Sequence, residues 1–133
     1  MEHDRYTYRV RVDVDPATAE TRVRAALTDE GFGVLTEIDV QATLRAKLEE
    51  DTAAYTILGA CNPALAHQAL QVDPALGALL PCNVVVRAHP EGGTELIAVA
   101  PDRLLGLAEV PALEDLAHEV AERFQRALGQ VAA

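Results

Sequence analysis

Two cysteines are the most reactive side chains in this chain, and they stand in near mirror-image settings, Cys61-Asn62-Pro63 and Pro81-Cys82-Asn83. Asn62 followed by Pro63 is a helix-start signal, an N-cap and then a proline in the first turn. Cys61 thus precedes a helix N-terminus, whose partial positive charge would stabilise a thiolate and lower its pKa. If the strands that end at Cys61 and begin at Cys82 are neighbours, the sulfurs approach and reversible disulfide or persulfide chemistry is open to them. The plainer account is that both are small buried hydrophobes, and their spacing forms no Cys-x-x-Cys motif.

Two other groupings could do chemistry. Cys61, Cys82 and His67, with Glu37 or Asp39 as a fourth ligand, have the donor types for zinc or another soft metal. His67 falls toward the edge of its helix's apolar face, which favours a surface histidine, and no bound metal is expected. Glu37, Asp39 and Lys47 are the second grouping: two carboxylates on one strand face, with a lysine reaching back, could divide acid and base roles. The competing account makes Asp39 a helix cap and Glu37 half of an ion pair. Serine is absent from the chain, which excludes a serine nucleophile. Gly92-Gly93 lacks the lysine and following helix of a phosphate loop, and no cofactor is expected.

Composition narrows the partners. The 133 residues carry 11 Lys and Arg against 21 Asp and Glu, a net charge of −10. That opposes both a nucleic-acid backbone and an anionic membrane surface. No apolar run approaches the length of a bilayer span, and the N-terminus reads as no secretory signal. A cytoplasmic location with reduced thiols is the expectation.

The elements that must position these residues follow from periodicity. Arg5 to Asp13 alternates, with Tyr6, Tyr8, Val10 and Val12 on one face, and predicts a strand. Asp15-Pro16 opens a helix that Gly31 ends. Gly33 to Asp39 is a second strand, with Val34, Thr36 and Ile38 on one face and Leu35, Glu37 and Asp39 on the other. A short helix follows to Leu48, with Ala42, Leu44 and Leu48 inward. Tyr55 to Ala60 is a strand, Asn62 starts a helix to about Val72, and Asp73-Pro74 starts a brief helical turn. Leu79 to Ala88 and Glu95 to Ala100 form a hairpin around His89–Thr94. The last helix carries the stripe Leu113, Leu116, Ala117, Val120, Phe124, Ala127 and Leu128.

The order is β-α-β-α-β-α-β-β-α in one domain, residues 1–133. Alternating strands imply one half-polar sheet face, so an α+β fold with a largely antiparallel or mixed sheet and helices on one side is expected.

With these residues in view, the chain resembles the domain of unknown function 302 family. The resemblance rests on Gly31-Phe32, Glu37 with Asp39, Lys47-Leu48, Cys61-Asn62-Pro63 and Pro81-Cys82, and runs from the first strand to the last helix. It implies a compact α+β protein, often dimeric, with no assigned activity. The resulting expectation is a homodimeric small-ligand-binding or regulatory domain rather than an enzyme. Its site would draw on Glu37, Asp39, Lys47, Cys61, Asn62, His67, Cys82 and Asn83. The alternatives are a thiol or persulfide protein using Cys61 and Cys82, or a soft-metal protein.

Overall fold

The structure, a computed structural model, describes residues 1–132. Strands β1 (Glu2–His3), β2 (Thr7–Val12), β3 (Gly33–Asp39), β4 (Tyr55–Cys61), β5 (Cys82–Ala88) and β6 (Thr94–Val99) form one sheet in the order β1-β2-β6-β5-β4-β3. Every neighbouring pair is antiparallel. The helices are α1 (Pro16–Asp29), α2 (Val40–Leu48), α3 (Pro63–Val72), α4 (Pro101–Gly106) and α5 (Glu114–Ala132), with 3₁₀ turns at Pro74–Leu79 and Pro111–Leu113. The α+β class and the expected element order both hold. Two elements add to that order: the two-residue β1 and the six-residue helix α4.

Alternation decides which side of the sheet is dry. Tyr8, Val10 and Val12 of β2, Leu96 and Ala98 of β6, Val84 and Val86 of β5, and Leu58 and Ala60 of β4 are all buried. They pack in one cluster with Ala19, Val23, Ala26 and Leu27 of α1 and Val120, Phe124, Ala127 and Leu128 of α5. Each large aliphatic in that layer contributes about 1.5–3 kcal/mol by leaving water. Phe32, just after α1, meets Phe124 edge-on with ring centroids 4.8 Å apart. A smaller cluster of Ala69, Leu76, Leu105, Leu113 and Ala117 seals the end where α3, α4 and α5 meet.

Four expectations are corrected. The register of β3 against β4 shifts between Val34 and Thr36, so a bulge at Leu35 breaks the simple alternation. Val34 consequently pairs with Ala60 on the helix side, as Glu37 does with Leu58, whereas Thr36 and Ile38 join Gly59 and Ile57 on the other face. Tyr6 lies before the strand and is exposed, because the turn held by Asp4 N–H on the Thr7 carbonyl ends just there. Helix α2 buries no residue: Leu48 is 64% exposed and Ala42 faces solvent, because the helix merely bridges one end of β3 and β4. Finally, β5 begins at Cys82, since residues through Leu79 coil into the 3₁₀ turn that Asp73 caps.

Candidate functional site

The corner where β4 ends and α3 begins is assembled by Asn62. Its Oδ1 accepts from Leu65 N–H at 3.2 Å, the N-cap bond the sequence calls for. Its other face lies against the α1–β3 turn. Gly31 there has φ +84°, and a Cβ on it would sit 2.9 Å from Asn62 Nδ2 and 3.2 Å from Arg123 Nη1. Only glycine fits that combination of backbone conformation and close approach. Arg123 reaches over from α5 and donates to the Glu30 carbonyl at 3.0 Å, closing the C-terminal end of α1. One asparagine, one glycine and one arginine thus tie α1, α3 and α5 together at this corner.

Beneath it lies a cavity of about 30 Å³, within a cleft of about 360 Å³ counting the part open to solvent. Phe32, Leu65, Ala69, Leu105 and Val120 make its walls, and Cys61, Asn62 and Cys82 are the lining residues that carry heteroatom side chains. Strand β5 runs beside β4, as the thiol-pair idea required, and Cys82 stands opposite Ala60 rather than Cys61. The two cysteines therefore have opposite parity in the ladder. Both are free thiols.

Their electrostatics run against a reactive thiolate. Burial pushes the half-buried Cys61 thiol up, reversing the lowering expected from its place before a helix. Cys82, 5% exposed, is pushed up to about 12, first by burial and then by its neighbour Cys61. Desolvation outweighs the helix-end charge because the cleft walls are hydrocarbon. At neutral pH both sulfurs are protonated and behave as apolar lining.

The remaining expected site residues lie elsewhere. His67 is exposed on α3 and does not line the cavity. Among the described residues no cluster of three or more His, Cys, Asp or Glu side chains could hold a metal ion. Asn83 is exposed and lines a separate surface hollow with Pro81, Val99 and Leu104. Glu37 binds Arg24 of α1 at 3.2 Å, and Asp39 accepts from Ala42 N–H at 2.9 Å as the cap of α2. Lys47 is exposed on α2. The three do not converge, and Glu37 lies four residues, about 13 Å, along β3 from the Gly33 that pairs with Cys61. The sequence places Val120 in the apolar stripe of the last helix and marks neither Arg123 nor the cavity itself. Apolar spacing reports which face is buried, and not whether the buried space is filled.

The profile of the family described as "Domain of unknown function DUF302" matches residues 8–131. The chain is also similar to a solved structure, that of an uncharacterized conserved protein DUF302 from Bacillus stearothermophilus. The two are 30% identical with a TM-score of 0.88, over 96% of this chain and 98% of that one. No curated protein matches. The chain belongs to the DUF302 family, for which no function is established.

Proposed function

We propose that this member of the DUF302 family is a cytoplasmic, homodimeric, single-domain binding or regulatory protein. Its ligand site is the apolar cleft between β4, β5, α3 and α5. The observation that carries this reading is the incompletely filled space beside Cys61, Asn62 and Cys82 in an otherwise close-packed core. A cavity of about 30 Å³ exceeds the ~10–15 Å³ that one water needs and falls far below the ~300–1,000 Å³ of organic-ligand pockets. The occupant is therefore a slender apolar group, such as a short alkyl chain or its end. Asn62 is the one amide among the lining residues, and its cap on α3 fixes the wall there. The raised thiol pKa values favour this over nucleophilic or metal-binding cysteines. Two free thiols and the charge of −10 support the cytoplasmic placement.

The test is titration of ¹⁵N-labelled protein with short-chain alcohols and with xenon. Saturable amide shifts confined to residues around Ala60, Leu65, Ala69 and Val120, abolished by Ala69→Phe, are expected. Shifts that never saturate, or that Ala69→Phe leaves unchanged, would overturn the cleft as a binding site.

A further inference from the structure

The helices α1, α3, α4 and α5 all gather on one side of the sheet, joined through the two core clusters. The opposite face carries no helix across its centre, and the strand register sorts its side chains into rows. Ile38, Ile57, Val85 and Ile97 are consecutive partners across β3, β4, β5 and β6, and Arg9 of β2 ends the row. The adjacent row runs Tyr55, Arg87, Glu95, Arg11. Four β-branched or aliphatic residues in line across four strands are what face-to-face sheet packing uses, and here only the outermost, Ile38 at 50% exposure, ends at a free edge.

We propose that this face is the contact between two copies of the chain, packed sheet on sheet about a two-fold axis. This inference rests on the homodimer reading above and supplies its surface. The charge distribution selects the occupant. A chain of net charge −10 repels its own copy over most of its surface. On this face, however, Arg9, Arg11 and Arg87 are each within 4 Å of a carboxylate, on Asp4, Glu91 or Glu95. The face is locally neutral, so it can oppose itself without like-charge repulsion, as an isologous contact requires. Nucleic acid or an anionic membrane would find no excess of cations there.

Area sets the strength. Four inter-strand gaps of ~4.8 Å and six residues at ~3.3 Å make a face on the order of 20 Å by 20 Å in projection. That is near the low end of specific interfaces, which bury ~600–1,000 Å² per partner once side-chain relief and rim residues are included. Leu35, exposed at the bulge of the same edge strand as Ile38, adds apolar surface there. The dimer is accordingly one that dissociates on dilution.

Sedimentation velocity of the full chain across micromolar to millimolar concentration tests this. The wild type should move from one-chain to two-chain mass with rising concentration. Ile97→Lys, which places two like charges in the contact, should raise the dissociation constant at least ~100-fold, with circular dichroism unchanged. Val85→Thr should raise it ~10-fold, and decides the matter should the lysine variant not fold. Leu107→Lys, an exposed position on the helix side, should leave association unaltered. A wild-type dimer that neither Ile97→Lys nor Val85→Thr weakens overturns this surface and leaves the homodimer reading standing. A wild type that stays monomeric throughout overturns both. Neither outcome bears on the alcohol titration of the cleft.

Discussion

Cys82 stands directly across the β4–β5 ladder from Ala60, one residue short of Cys61. That offset puts out of register two thiols that the sequence presents as a matched pair. Cys82 shares the core face with Val84 and Val86, whereas Cys61 is half-buried at the end of its strand. A cysteine pair ready for exchange needs a low-pKa, accessible sulfur, and here burial pushes both thiols up while only Cys61 is partly open to solvent.

The thiols should therefore be inert under native conditions. Alkylation at neutral pH should be slow for both. The half-buried Cys61 should react first as pH rises, and Cys82 only on unfolding. Mass spectrometry after timed labelling checks this; rapid native labelling of Cys82 would contradict its burial.

The same shift predicts alkaline instability. A thiol held protonated by folding keeps its proton up to about 12, while the unfolded chain releases it near the ordinary value of 9.0. Between those values the folded state binds more protons. The contribution is fully present below pH 9 and is lost as pH climbs toward 12, at up to ~1.4 kcal/mol per pH unit. Urea denaturation at stepped alkaline pH should show a shallower decline in Cys82→Ala than in wild type.

Asn62→Ala should cost ~1–2 kcal/mol in urea denaturation, because it removes the cap on α3 and the packing against Gly31. Asn62→Asp keeps the acceptor for Leu65 N–H and should recover part of that loss. Equal losses in both variants would mean that the cap bond contributes little.

Gly59→Ala tests the uncovered face of the sheet. A Cβ there would overlap Thr36 Oγ1 and come within 2.6 Å of Pro81 Cγ. Thr36 is short and the Pro81 ring is rigid, so neither yields easily, and overpacking should cost ~1–3 kcal/mol. A thermal melt at or above the wild-type midpoint would show that the loop at Pro81 yields freely.

Asp39→Ala should act locally. The substitution removes the cap of α2, worth ~1 kcal/mol to that helix. Since α2 buries nothing, the global unfolding midpoint should move far less than amide exchange within Val40–Leu48. Glu37→Gln should be near neutral, because its exposed pair with Arg24 is worth at most ~1 kcal/mol. A matching loss of global stability would mean that α2 holds the sheet more firmly than its burial implies.

The local chemistry of this chain was legible in one dimension. Asp15-Pro16, Asn62-Pro63 and Asp73-Pro74 start helices where the cap and proline rules place them, and the α5 stripe faces the core because apolar spacing of three and four residues can face only one way. The five family signatures carried the fold as well. Register and filling were not legible. A single bulged residue at Leu35 reverses the parity of the rest of β3, and no propensity marks it. The offset of Cys61 from Cys82, the space left beneath Asn62, and the alignment of Ile38, Ile57, Val85 and Ile97 into one row all arise between strands distant in sequence. Sequence alone settled where the capped helices start and which stripe of α5 faces inward, since those are properties of near neighbours. Which residues meet, and whether they fill the space between them, was decided only when the sheet set its register.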